Sequence, residues 1–132
     1  MTYESISAFT EALLVRESDF LLLSIAEQYY KAGETGAASQ YLFRIINNSS
    51  NDEIILKSRL LLGNIYIDTD DLQNALEQFN AVLAKDENSA DAHYGIGLIY
   101  EKQENLVAAR AEWRKARKIQ PNHSGALKKL SE

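Results

Sequence analysis

Short motifs in this chain recur at a fixed interval. "LLGNIY" at Leu61–Tyr66 precedes "GIGLIY" at Gly95–Tyr100, so Gly63 and Tyr66 are followed at equal distance by Gly97 and Tyr100. This distance is 34 residues (97 − 63 and 100 − 66), and we call it the repeat step. It also relates small and apolar residues further on: Leu72, Ala75, Phe79 and Val82 precede Leu106, Ala109, Trp113 and Ala116 by one step. A fixed period of this length is typical of repeated supersecondary units that must stack to bury their apolar faces.

The spacing inside each unit predicts helices. Apolar residues recur three and four positions apart, strand-like alternation is absent, and the chain has one proline and six glycines. We therefore predict an all-α fold in which helices are joined by short turns.

The repeat resembles the tetratricopeptide repeat, a helix pair of about 34 residues with a W-x2-L-G-x2-Y, A-x3-F and P pattern. The best copy matches at His93, Ile96, Gly97, Tyr100, Ala109, Trp113, Ala116 and Pro121. The middle copy, with Glu87 at the proline position, matches at Arg59, Leu62, Gly63, Tyr66, Ala75, Phe79 and Val82. The first copy is the weakest and lies further ahead than one repeat step, because 47–53 lengthens the turn; it matches at Leu22, Ile25, Ala26, Tyr29, Ala38, Leu42 and Ile45.

The resemblance implies a right-handed superhelical solenoid of antiparallel helix pairs, in a single domain over residues 1–132. We expect an N-terminal packing helix at 3–18, repeats at 19–55, 56–89 and 90–123, and a partial C-terminal capping helix at 124–132. A glycine inside a helix costs about 1 kcal/mol relative to alanine. Close approach of the paired helix would explain Gly63 and Gly97, and we expect Ala75 and Ala109 to meet them.

In the family that the chain resembles, the first helix of each pair lines a concave wall. The residues expected there are Phe20, Leu23, Ser24, Glu27, Lys57, Leu60, Leu61, Asn64, Asp68, Asp91, Tyr94, Leu98 and Glu101. Several are apolar, and exposed apolar patches usually mark interaction sites. We predict a non-enzymatic interaction module whose groove binds a helical or extended peptide segment.

Some tetratricopeptide co-chaperones grip a partner's C-terminal carboxylate with Lys, Asn and Arg. The matching positions here are of other types, which argues against such a clamp: Leu23, Glu27, Leu61, Asp91 and Gly95.

Charge is distributed unevenly along the chain. Residues 1–101 hold six Lys and Arg against sixteen Asp and Glu, whereas 102–132 hold eight against three. A basic docking face is predicted on one helix, formed by Arg110, Arg114, Lys115, Arg117 and Lys118. It is either ordinary surface charge or a site for an acidic partner, including the acidic part of another copy. Self-assembly into a homo-oligomer is therefore the alternative function.

The composition of the chain argues against several other classes of protein. The chain has no cysteine and a net charge of −5, which argue against disulfides, thiolate metal sites and general nucleic-acid binding. The longest nearly apolar run, "FLLLSIA", is far shorter than the ~20 residues of a membrane span, and no signal peptide is recognised. We expect a cytoplasmic protein without a cofactor.

Helix packing and helix capping explain the glycine and aspartate motifs better than phosphate or calcium binding does. A phosphate loop at Gly95 and Gly97 would need a third glycine where Tyr100 stands, so helix packing is favoured. Gly95 itself is left open, as a bare groove position or a tolerated helix defect. "DTDD" at 68–71 fails the calcium-loop pattern, and Asp71 is expected to cap a helix.

The two histidines and the glycosylation sequons are assigned no chemistry either. His93 and His123 are well separated in the sequence and no cysteine accompanies them, so no metal site is expected, and His93 is expected to replace a packing aromatic. The N-x-S sequons at Asn47, Asn48 and Asn122 are expected to form solvated turns.

Overall fold

A computed structural model of the chain describes residues 18–132, which form seven helices and no strand. Residues 18–31 are helical (α1), and the helices that follow are α2 (Thr35–Asn48), α3 (Asp52–Asp68), α4 (Leu72–Lys85), α5 (Ala90–Lys102), α6 (Leu106–Ile119) and α7 (Ser124–Leu130). The predicted packing helix at 3–18 lies outside the described residues, apart from residue 18. Within residues 18–132, no helix has both the length and the apolar character needed to cross a membrane.

The described residues fall into two compact units, 18–58 and Arg59–Glu132. In the first, α1 and α2 bury Ala26, Ala38, Leu42 and Ile45, and the rings of Tyr29 and Tyr41 stack with centroids 5.7 Å apart. The hydroxyl of Ser49 donates to the Asp19 carboxylate at 2.6 Å, which joins the end of α2 to the beginning of α1. These contacts hold α1 and α2 together as a pair.

In the second unit, the aromatic residues of α4 and α6 pack directly on glycines. A Cβ atom built at Gly63 would lie 2.6 Å from Phe79 Cζ, and one at Gly97 would lie 2.6 Å from Trp113 Cδ1. The atoms nearest to these Cβ positions belong to the aromatic rings, whereas Ala75 and Ala109 were expected to meet the two glycines. The glycines are needed because each leaves room for a whole ring.

Gly95 is explained by the same packing. It is buried, and a Cβ at this position would come 2.6 Å from Phe79 Cε1. The Phe79 ring therefore lies between Gly63 of α3 and Gly95 of α5. Gly95 is neither a bare groove position nor a helix defect, which corrects both alternatives drawn from the sequence.

The turns inside the helix pairs share one backbone conformation. Gly33, Asp70 and Glu104 all have positive φ, at 82°, 62° and 61°. The amide of the next residue donates to a carbonyl five positions back, as in Asp71 to Tyr66 (2.8 Å) and its counterpart one repeat step later. The prediction that Asp71 caps a helix is confirmed, since its Oδ1 accepts from the Asn74 amide.

The last helix packs against the end of the α5–α6 pair. Ala126 of α7 is fully buried, as are Ala92 and Ser58, which lie one and two repeat steps before it. Lys129 donates to Glu101 at 2.9 Å and lies 5.6 Å from the centre of the Trp113 ring. The hydrogen bond that Lys129 donates to the Glu101 carboxylate is the main cause of the raised pKa of Lys129.

Candidate functional site

A pocket of about 460 Å³ opens in the second unit, between α3, α5 and the beginning of α7. Four residues expected on the concave wall line it: Leu60, Asn64, Asp91 and Tyr94. The other lining residues are Phe79, His123, Ser124 and Gly125. The structure thus brings part of the predicted wall together and adds three residues of the α7 start.

His123 links the α7 start to α5. Its Nδ1 accepts a hydrogen bond from the Ala126 amide at 3.1 Å, which caps α7. A nitrogen that accepts carries no proton, so Nε2 carries it and donates to Asp91 Oδ1 at 2.7 Å. Both ring nitrogens are therefore engaged, and the imidazole fixes one wall of the pocket.

Tyr94 is covered by the same segment. Its ring centroid lies 5.1 Å from that of His123, and a Cβ at Gly125 would lie 2.7 Å from its Cζ atom. Leu98, one turn later, is half-buried and packs against the cluster that contains Ala126 and Trp113. The expectation of a freely exposed apolar wall was wrong for these two residues, since the core around α7 covers part of each.

Comparison with known proteins gives the same architecture. A family model of the tetratricopeptide repeat matches residues 60–124. The solved structure of YrrB, a tetratricopeptide-repeat protein with an unusual peptide-binding site, superposes with a TM-score of 0.73 and is 31% identical. That alignment covers 86% of this chain and 57% of the YrrB chain. Residues 60–124 therefore carry tetratricopeptide repeats.

Two further proteins are similar to this chain, but each similarity supports less than that to YrrB. The structure of MamA superposes with a TM-score of 0.69 over 95% of this chain and 72% of its own, at 21% identity, which shows the fold alone. The anaphase-promoting complex subunit CDC16 of Saccharomyces cerevisiae (strain ATCC 204508 / S288c) is 26% identical over 125 residues. Those residues make up 91% of this chain but 15% of CDC16. The all-α tetratricopeptide fold predicted from the period is confirmed.

The remaining positions predicted for the concave wall lie outside the pocket. In the first unit, Phe20 is 47% exposed, whereas Leu23 is 6% exposed and belongs to the core, which corrects its assignment to the wall. Ser24, Glu27 and Lys57 are exposed, and Lys57 pairs with Glu53 at 3.3 Å.

In the second unit, Leu61 is half-buried and Asp68 is exposed. Glu101 is engaged by Lys129 rather than open to a ligand. The period places all these residues on equivalent helices, but only four of the predicted wall residues converge on the pocket.

The first aromatic position of the repeat is polar in two copies, and it forms a pair each time. Arg59 donates to Gln78 Oε1 at 3.0 Å, and one repeat step later His93 Nδ1 lies 2.8 Å from Glu112 Oε2. The expectation that His93 replaces a packing aromatic did not include this hydrogen bond, which its largely buried side chain makes. Its side chain joins α5 to α6 through a hydrogen bond, as Arg59 joins α3 to α4.

Sequence reasoning missed the contribution of α7 to the pocket. The signal was present, because His123 follows Ser89 by one repeat step and both residues cap the helix that begins after them. Within residues 18–132, no three His, Cys, Asp or Glu side chains converge as metal ligands would.

Proposed function

We propose that this chain is a non-enzymatic interaction module that binds a helical or extended peptide segment at the pocket of α3, α5 and α7. The observation that carries the proposal is that an apolar residue, an amide and an aromatic ring share one concave surface. Leu60, Asn64 and Tyr94 supply them. Sites for peptides commonly combine apolar contacts with a few polar groups that fix the orientation of the chain.

The Asn64 amide suits the main chain of a peptide. An amide side chain both donates and accepts, which matches the N–H and C=O groups of an extended segment. Asn64 makes no side-chain hydrogen bond with any other residue in 18–132. Leu60 lies one helical turn before it, so an apolar side chain of the ligand would reach Leu60 while its backbone meets the amide.

The groups around the pocket do not favour catalysis. Nucleophilic or acid–base chemistry needs a base within reach of the group that reacts and a free position on that base. The imidazole of His123 is committed through both nitrogens, to Ala126 and Asp91. The similar protein YrrB has a peptide-binding site, and CDC16 is a subunit of a complex, which supports an interaction function here.

The test is selection of peptides from a displayed random library on the wild-type chain, followed by titration of a selected peptide. We expect Leu60→Glu with Asn64→Ala to weaken its binding about tenfold or more, since loss of central contacts dominates interface energies. Leu106→Glu with Asn80→Ala makes the same changes at exposed residues away from the pocket and should leave binding within about twofold. Equal losses in both variants, or no peptide selected, would remove the pocket from consideration.

Self-assembly is a second candidate, which the uneven charge of the chain favours. Residues 102–132 are basic and 1–101 are acidic, so one copy would attract the opposite part of another. Light scattering after size exclusion checks this. Self-assembly predicts a mass above that of one chain at low salt, falling at high salt, and a single-chain mass under both conditions contradicts this candidate.

A further inference from the structure

The outward face of α6 carries cations that the repeat itself does not require. The sister helix α4 folds with uncharged residues at the same positions, one repeat step earlier. The corresponding residues of α6 and α4 are Arg110 and Leu76, Arg114 and Asn80, Lys115 and Ala81, Arg117 and Leu83, and Lys118 and Ala84. Because both helices pack through equivalent buried residues, the charge of α6 serves something other than packing.

Three of these cations have no partner within 18–132. Arg110 donates to the Glu132 carbonyl at 3.1 Å, and Lys115 donates to Glu112 at 3.0 Å. Arg114, Arg117 and Lys118 are exposed and make no side-chain hydrogen bond or ion pair with a described residue. The helix dipole favours Arg117 and Lys118 in the last turn, but Arg110, Arg114 and Lys118 repel one another at spacings of four residues.

A second pocket, of about 600 Å³, adjoins these cations. Its lining residues come from the α4–α5 loop, α5 and α6: Glu87, Asn88, His93, Lys115, Lys118 and Ile119. It shares no lining residue with the pocket of α3, α5 and α7. Two of the lining residues, His93 and Lys115, are bonded to the Glu112 carboxylate, so Lys118 is the unpaired charge among the lining residues from α6.

We propose that this face of α6 docks an acidic polypeptide segment of a partner protein. One Asp or Glu side chain of that segment enters the pocket beside Lys115 and Lys118, and flanking acids reach Arg114 and Arg117. Charge complementarity selects the acidic segment. A cavity of this size holds a few side chains, which suits a segment rather than a flat surface.

The loop side of the pocket favours a polypeptide over a nucleic acid. Glu87 and Asn88 offer a carboxylate and an amide there. A carboxylate accepts hydrogen bonds and can receive the N–H groups of a peptide main chain, whereas a phosphodiester has none to donate. The chain also has a net charge of −5, which opposes general binding to a polyanion.

The experiment is an anisotropy titration with a fluorescein-labelled peptide of alternating glutamate and glycine. We expect the double variant Arg114→Asn, Lys118→Ala to bind it about tenfold more weakly than wild type. These substitutions install the residues that α4 already has, so circular dichroism should show unchanged helicity. The matched control, Lys31→Ala with Lys102→Ala, removes the same charge from exposed positions elsewhere and should bind within about twofold of wild type.

Further measurements distinguish an acidic segment of a partner protein from a nucleic acid and from a second copy of the chain. Leu60→Glu with Asn64→Ala should keep full affinity for the acidic peptide, so failure of the peptide pocket is distinct from failure of this face. Equal losses in the α6 variant and its control would overturn the proposal, as would an oligothymidine that binds as tightly as the peptide. A mass above one chain at low salt that the α6 variant abolishes would show that the occupant is a second copy, and would overturn it too.

Discussion

Trp113→Ala is expected to lower the free energy of unfolding by about 3–5 kcal/mol. The indole is 2% exposed and sits in the cluster that α5, α6 and α7 share. It fills the space left by Gly97, and its Nε1 donates to the Tyr94 carbonyl at 3.3 Å. Truncation would leave a cavity beside Gly97, which has no side chain of its own to fill it. Urea denaturation followed by circular dichroism measures the loss.

A conservative replacement separates ring packing from the hydrogen bond. Trp113→Phe retains an aromatic ring but loses the N–H group, so its destabilisation should be clearly smaller than that of the alanine variant. Lys129→Met provides a further comparison, because it removes the cation near the indole while retaining a long apolar side chain. A loss below about 1 kcal/mol in Trp113→Ala would contradict the packing of α6 on Gly97.

Gly95→Ala is expected to destabilise the chain by about 1–3 kcal/mol, although alanine is the better helix former by about 1 kcal/mol. The added methyl would overlap the Phe79 ring, which is 1% exposed and is bounded on another side by Gly63. A ring held between two glycines has little space to move. The same denaturation measurement, made with Phe79→Leu and with both changes together, gives a double-mutant cycle.

The cycle should show that the two substitutions together cost less than the sum of their separate effects, because a smaller side chain at 79 makes room for the methyl. Gly36→Ala is the matched control, since nothing lies within 4 Å of the position where its Cβ would be. It should be neutral or stabilise by about 0.5 kcal/mol. Additive effects in the cycle, or a Gly95→Ala variant as stable as Gly36→Ala, would be incompatible with this packing.

The period predicted which residues are equivalent, but it did not predict what they touch. It assigned Gly63 and Gly97 to close helix contacts, yet it paired them with alanines because a small residue opposite a glycine is the simplest interpretation. The structure instead places Phe79 and Trp113 there. The alanine and the aromatic residue are four positions apart on one helix face, so the size of the side chain decides which of them fills the space beside the glycine.

The same limit applies to the candidate site. Leu60, Asn64, Asp91 and Tyr94 were expected on one wall and do line one pocket. The covering of Tyr94 could not be predicted, because it depends on His123 and on Gly125, whose missing side chain lets α7 approach the ring. A similar reason applies to Leu23, which was placed on the wall by analogy with later repeats but belongs to the core of the first unit.

The two polar pairs at the first aromatic position of the repeat restrict how helices can be exchanged between repeats in a hybrid protein. Arg59 with Gln78 and His93 with Glu112 each join the two helices of one pair, and the four side chains differ in charge and reach. A helix exchanged alone between the copies would face the wrong counterpart, for instance His93 against an amide. Splice points for hybrid arrays should therefore fall in the segment between Lys85 and Ala90, so that every transplanted cassette retains both members of its own pair.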